Sequence, residues 1–288
     1  MRTTLRGVVA VLAASAAALA MTAVPASAIT GGEPDGNAHP NVGMILFYED
    51  GGRYRCSATL VNEYTLVTAA HCVATDGYTL VTFKSVVAEQ APSGLPAAAD
   101  PEAGFTQAEI EAAGYVAGIA EAHPDYSDFT DLKNWNDVAV VHLATPVTGI
   151  APATLAPQNF LERYRPASIL NKTLFELVGY GTEVRKPDSG PQKPTPQSYP
   201  LIRRVAYSPG QKMTDQIVQM NGNINDTRGT GGTCFGDSGG PSFLGGYLVT
   251  VTSYGYTDNC RYLGGYQRVD IPGVYSWLQA ELQERPAA

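Results

Sequence analysis

The chain runs to 288 residues, and 19 Lys and Arg against 27 Asp and Glu leave it a formal net charge of −8 at pH 7. A chain this acidic, with no basic run, lacks the electrostatic footprint of a nucleic-acid binder. Beyond its first residues no stretch is long and apolar enough to cross a bilayer.

Residues 1–28 read as an export signal. Arg2 and Arg6 make a positive start, Gly7 to Ala20 is almost wholly apolar, and Ala26-Ser27-Ala28 has the small-x-small form of a cleavage site. Export implies a secreted protein with no membrane attachment once the signal is cut. It leaves residues 29–288 as one large domain, expected to be monomeric. The 4 cysteines of an exported chain read as two disulfides. Three pairings are open, of which Cys56–Cys72 with Cys234–Cys260 would close the short loops. A metal reading is weak, because there is no C-x-x-C and no histidine at ligand spacing beside a cysteine pair.

The mature region is rich in short β-type runs bounded by Gly, Asn, Asp or Pro. They are Val42–Tyr48, Ser57–Asn62, Thr65–Thr68, Tyr78–Phe83, Val138–Leu143, Leu174–Val178 and Leu248–Tyr254. Many short strands with turns between them predict barrels or sandwiches. Two segments interrupt the pattern. Ala88 to Gly118 is rich in Ala, Gly, Glu and Pro and holds a predicted short helix from Thr106 to Ala113, with Thr106 as cap. Arg185 to Pro200 is proline-rich and polar and reads as a surface loop. After Pro272, the helical spacing of Val274, Trp277, Leu278 and Leu282 predicts a terminal helix.

Three motifs carry chemistry. Cys234 precedes Gly236-Asp237-Ser238-Gly239-Gly240-Pro241, where small neighbours leave the Ser238 hydroxyl exposed and backbone N–H groups able to face a developing oxyanion. A serine is a poor nucleophile at neutral pH. It needs an imidazole to take its proton and a carboxylate to fix the imidazole's tautomer. Thr68-Ala69-Ala70-His71-Cys72 supplies the first and Asn136-Asp137-Val138 the second, in the chain order His, Asp, Ser. The Gly-x-Ser-x-Gly pattern also fits the α/β-hydrolase elbow, but that fold needs a histidine after the serine. The histidines are His39, His71, His123 and His142, all before Ser238. His39, His123 and His142 read as surface or structural.

On these motifs the chain resembles the chymotrypsin/trypsin family of serine proteases. Gly179-Tyr180-Gly181 and Ser253-Tyr254-Gly255 look like the family's Gly-Trp-Gly segment and Ser-Trp-Gly substrate-binding strand. The resemblance implies an all-β fold of two six-stranded antiparallel barrels with a C-terminal helix. It implies an endopeptidase acting on protein or peptide substrates through an acyl-enzyme, without a cofactor. His71 would be the base, Asp137 the orienting acid, Ser238 the nucleophile, and the N–H groups of Gly236 and Ser238 the oxyanion hole. A binding protein that kept the fold with little catalysis would be expected to have lost one member of this trio, and none is lost.

The same resemblance places the specificity pocket at Gly232 and Thr233, with Ser253, Tyr254, Gly255 and Gly264 as walls. No acid stands at Gly232, so the expectation is a wide uncharged pocket favouring large apolar or aromatic side chains. Asp258 is the acid expected near its rim. Ile29-Thr30-Gly31-Gly32 resembles the family's activated N-terminus, whose α-amino group would pair with Asp237. The expected signal cut falls directly before Ile29, so export itself would create that amine.

Overall fold

The computed structural model describes residues 29–73, 77–185, 193–225, 228 and 230–283. The predicted export signal and residues 186–192 of the predicted 185–200 loop lie outside them.

Strand Val42–Glu49 shows how the first barrel closes. Seven of its eight residues are buried. Ile45 and Phe47 point into the barrel among Cys56, Leu60, Leu66, Val81 and Val141. Their neighbours Leu46 and Tyr48 point outward and are covered by Leu80, Phe105, Ile110 and Ala117. Buried on both faces, the run cannot alternate with polar residues, which explains its near-continuous apolar sequence. The barrel runs Val42–Glu49, Gly52–Asn62, Thr65–Thr68, Ala139–Leu143, Val116–Ala122, Thr79–Thr82 and back to Val42–Glu49. The second runs Arg204–Met213, Leu174–Gly179, Pro241–Leu244, Tyr247–Gly255, Leu263–Arg268, Ile217–Asn221 and back to Arg204–Met213. Every pairing around both rings is antiparallel.

The segment Ala88 to Gly118 is an outer cover of the first barrel. Helix α1 (Gln107–Ala112) opens on a capping box: Thr106 Oγ1 accepts from Glu109 N–H, and the Glu109 carboxylate accepts from Thr106 N–H at 2.8 Å. Its single buried residue, Ile110, joins Phe105 and Ala98 over Leu46 and Tyr48. After the one-turn helix α2 (Ala167–Leu170), helix α3 (Pro272–Glu281) closes the chain with Pro272 in its first turn. Val274 and Leu278, one turn apart, pack between the barrels against Val138, Val140, Val251 and Val269.

Five barrel strands went unpredicted. Val116–Ala122 is small-residue sequence that begins inside what read as an interruption and runs past its end. Arg204–Met213 holds Pro209 and Gly210, and its register shifts between Gly210 and Lys212, a bulge that accommodates them. Leu263–Arg268 carries Gly264 and Gly265, and Ile217–Asn221 and Pro241–Leu244 are short. Their strand state comes from neighbours on both sides, not from local propensity.

Candidate active site

Strand Thr65–Thr68 is wholly buried and delivers the chain into a 3-10 turn, Ala70–Cys72, that carries His71. The Cys56–Cys72 disulfide ties that turn to the neighbouring strand Gly52–Asn62, and Cys234–Cys260 forms the second bridge. Of the three pairings open from sequence, the short-loop pair is the one formed.

Asp137 sits just before strand Ala139–Leu143 with its carboxylate fully buried. Oδ1 accepts from the His71 backbone N–H at 3.0 Å, and Oδ2 stands 2.8 Å from His71 Nδ1. Ser253 Oγ donates to Oδ2 at 2.5 Å, and Ser253 itself accepts from Trp135 Nε1 at 3.0 Å. Asp137 N–H is taken by Gln267 Oε1 at 3.1 Å. A buried carboxylate needs this density of donors to stay charged. With Nδ1 donating to Asp137, the imidazole presents the lone pair of Nε2 on its far edge. The Phe129 ring lies 5.6 Å from the imidazole, centre to centre.

Ser238 is half-buried and held to the same frame by its backbone. Its carbonyl accepts from Ser57 N–H at 2.8 Å, one residue beyond Cys56. Gly239 (φ +73°) lies so close to Thr68 and Ala69 that a Cβ there would run into Thr68 Oγ1 and sit 2.7 Å from Ala69 N. The serine loop is thus seated on the backbone that leads into His71, and only glycine permits the approach. Ser57 Oγ completes the junction, donating to Gly236 O at 2.9 Å and accepting from Tyr180 N–H at 3.0 Å. Gly236 takes φ +94° ahead of the nucleophile.

Asp237 points the other way, into the second barrel, and is completely buried. Gly181 N–H donates to Oδ1 at 2.7 Å and Cys234 N–H to Oδ2 at 2.8 Å. Burial still outweighs those bonds and the nearby Arg55 and Arg204 charges, and pushes the carboxyl up to about 7. Ile29 and Thr30 are also fully buried. Thr30 bridges to Gly232 in antiparallel register, its carbonyl accepting from Gly232 N–H at 2.9 Å.

The pocket beside Ser238 differs from the sequence expectation in two ways. Gly232 does not line it, because its backbone packs tightly on Gly222 and pairs with Thr30. Gly222 and Thr233 line it instead, with Ser253, Tyr254, Gly255, Gly264 and Tyr266. The cavity measures about 100 Å³, smaller than the roughly 150 Å³ that holds a benzene ring. The space opened by Gly264 is taken by the Tyr266 ring, whose hydroxyl pairs with Thr233 Oγ1 at 3.0 Å. Gly255 does leave its wall open. Asp258 stands exposed at the rim and is the one charged residue lining the cavity among the described residues.

Ser57, Trp135 and Gln267 escaped the sequence reading, and Ser253 was placed there only as a substrate-binding residue. Ser57, Trp135 and Gln267 support the trio from strands or a loop that carry no motif, so no local signal marks them.

Comparison with known proteins bears on the family and the fold. The family model described as Trypsin matches residues 29–278. A snake venom serine protease, Haly-2 of Gloydius brevicauda, is 26% identical over 256 residues, covering 86% of this chain and 82% of the relative. Brachyurin of Leptuca pugilator is 27% identical over 254 residues, covering 82% and 90%. Among solved structures, GrC superposes with a TM-score of 0.61 at 19% identity, covering 89% of this chain and 100% of that one. HL collagenase gives 0.58 at 19% identity, covering 88% and 97%. Among the described residues, no helix is long and apolar enough to cross a membrane.

Proposed function

Because the chain belongs to the trypsin family and is a serine endopeptidase acting on proteins or peptides, we propose that Ser238, His71 and Asp137 carry its chemistry. Ser238 Oγ attacks the scissile carbonyl while His71 Nε2 takes its proton. His71 then gives that proton to the leaving amine as the acyl-enzyme forms. Water, activated by the same imidazole, releases the acid. Asp137 holds the ring by Nδ1 and supports the imidazolium. The N–H groups of Gly236 and Ser238 receive the oxyanion. The observation that carries this reading is the 2.8 Å contact between Asp137 Oδ2 and His71 Nδ1, on a turn against which the Ser238 loop is seated.

We infer further that the protein is secreted and starts at Ile29, whose α-amino group pairs with Asp237. In support, Ile29 and Thr30 are buried and Thr30 pairs with Gly232 beside the pocket. Among the described residues, Asp237 has backbone N–H groups alone as hydrogen-bond partners, and an ammonium would bring its carboxyl down from about 7. The amine's own pKa would rise in return, so its ordering effect is present at neutral pH and fades as pH climbs through the raised value. N-terminal sequencing of active secreted enzyme is expected to read Ile-Thr-Gly-Gly; any other start removes this inference.

The uncharged inner walls point to non-basic side chains, large apolar or aromatic, before the cut. A serine-directed phosphonate is expected to label the wild type and not Ser238→Ala, and peptide-library profiling to show Leu, Phe and Tyr ahead of Lys and Arg. Unchanged labelling in Ser238→Ala would overturn the nucleophile assignment, and a clear Arg preference the pocket.

A further inference from the structure

Strand Ala139–Leu143 has two chemically distinct ends. Ala139, paired with Thr68, lies at the catalytic end. His142 lies three residues on, about 10 Å away at strand rise, paired with Thr65 and with Ile119. Glu121 is two residues beyond Ile119 and pairs with Val140, so Glu121 and His142 are diagonal neighbours on one face of the sheet. The last turn of α3 covers that face and brings in Glu281, whose Oε2 stands 3.0 Å from His142 Nε2. One ligand atom from each of the three side chains lies within 4.8 Å of the other two.

The electrostatics of this cluster are one-sided. The Glu281 side chain is only 8% exposed, and His142 is its one ion-pair partner among the described residues. Glu281 ends α3, where the helix dipole is negative, and the last turn holds no basic residue. Glu121 adds a second carboxylate. Two carboxylates and a helix C-terminus therefore converge on a single imidazole. A divalent cation corrects that imbalance.

We propose that Glu121, His142 and Glu281 form a zinc site that ties α3 to the first barrel. Zinc takes imidazole nitrogen and carboxylate oxygen at about 2.0–2.2 Å, and three protein ligands leave a fourth tetrahedral position for water. Ligand atoms around a tetrahedron with such bonds stand roughly 3.3–3.5 Å apart. Small side-chain adjustments reach that spacing, since Glu121 is exposed. Calcium, which needs six to eight oxygens, does not suit a site with one nitrogen and two carboxylates. The other cluster of this kind among the described residues, Cys56, His71 and Cys72, has its sulfurs locked in a disulfide.

The test uses the untagged mature protein as Ser238→Ala, to prevent self-digestion, after EDTA treatment and dialysis. Calorimetric titration with zinc chloride is expected to show one ion per chain, and zinc to raise the melting temperature while calcium does not. Adding Glu121→Gln, at an exposed position that leaves the fold alone, is expected to weaken zinc binding at least tenfold. Adding His142→Gln, which keeps a hydrogen-bond donor toward Glu281, is expected to abolish the thermal response. No zinc response in the parent, an equal response to calcium, or retention of the zinc response in either variant overturns the proposal.

Discussion

The two barrels hold their catalytic side chains by different means. In the first, between residues 42 and 143, Asp137 is the one buried carboxylate among the described residues, and the interior is aliphatic and aromatic. His71 is fixed there by a buried strand and a disulfide. The second barrel buries Arg203, Arg204, Asp237, Arg268 and Asp270, and Arg268 and Asp270 pair within it at 2.9 Å. Apolar packing fixes a side chain whatever the state of the rest of the chain. A buried charge fixes its surroundings only while its partner is present, and is costly when the partner leaves. The base and its acid therefore stand on permanent ground, and the nucleophile and pocket on conditional ground.

The largest effects separate chemistry from scaffold. Asp137→Asn keeps the shape of the site but reverses the tautomer His71 must adopt. The equivalent change in related triads lowers kcat about 10⁴-fold. Single-turnover kinetics should show a loss of that order, with phosphonate labelling slowed in parallel and KM little changed. A loss below tenfold would mean that Asp137 is not the orienting acid.

Next comes the conditional barrel. Asp237→Asn removes the anion proposed to receive the Ile29 ammonium. Breaking one side of a buried pair costs about 3–5 kcal/mol, so the active fraction should fall by roughly two to three and a half orders of magnitude. The first barrel should be indifferent, with amide exchange unchanged in Val42–Glu49 and accelerated around Gly232. Uniform acceleration across both barrels would remove the distinction drawn between them.

Ser253→Ala probes the seam. Ser253 comes from a second-barrel strand but donates to Asp137, and Trp135 donates to it in turn. Hydrogen bonds to charged groups contribute about 1.5–3 kcal/mol, so kcat should fall about 10–100-fold. Ser253→Thr, which keeps the hydroxyl, should recover most of it. If Ala and Thr behave alike, the serine matters for packing and not for Asp137.

How much of this was legible in the sequence follows the same division. Strands of the first barrel announce themselves in apolar runs such as Val42–Tyr48 and Thr65–Thr68. The helix cap at Thr106 and the spacing after Pro272 were equally plain. In the second barrel, Arg204–Met213 and Leu263–Arg268 interleave Arg, Gln, Gly and Pro with apolar residues, because they serve buried ion pairs, a bulge and a pocket wall. That composition hides a strand. The trio itself was visible because each member sits in a short motif. Its supports at Ser57, Trp135 and Gln267 were not, since their roles depend on contacts across 118 or more positions for Trp135 and Gln267 and 179 for Ser57. The pocket was misjudged as wide because a glycine in sequence reads as empty space, whereas the Tyr266 ring fills the room beside Gly264.

The smallest effect concerns the charge cluster that secures the segment following Ile29 to the second barrel. Asp35 is buried between Arg203 Nε at 2.8 Å and His39 Nδ1 at 2.6 Å. For His39, burial favours the neutral ring, but the hydrogen bonds to Asp35 and Glu176 prevail and push its pKa up to about 9. A raised histidine pKa means that the folded chain holds a proton the unfolded chain releases. Its stabilisation is complete below pH 6.5 and is lost as pH rises through about 9. For Asp35, burial raises the pKa, but the bonds from His39 and Arg203 outweigh it and bring it to about 2. That contribution is present above 3.8 and fails only as pH falls through about 2. In a Ser238→Ala background, His39→Gln should therefore lower the melting temperature at pH 6.5 and converge with its parent by about pH 9. Such convergence would show the second barrel's fastening to be electrostatic; a constant gap across that range would assign His39 to packing against Phe243, whose ring it stacks on at 5.6 Å.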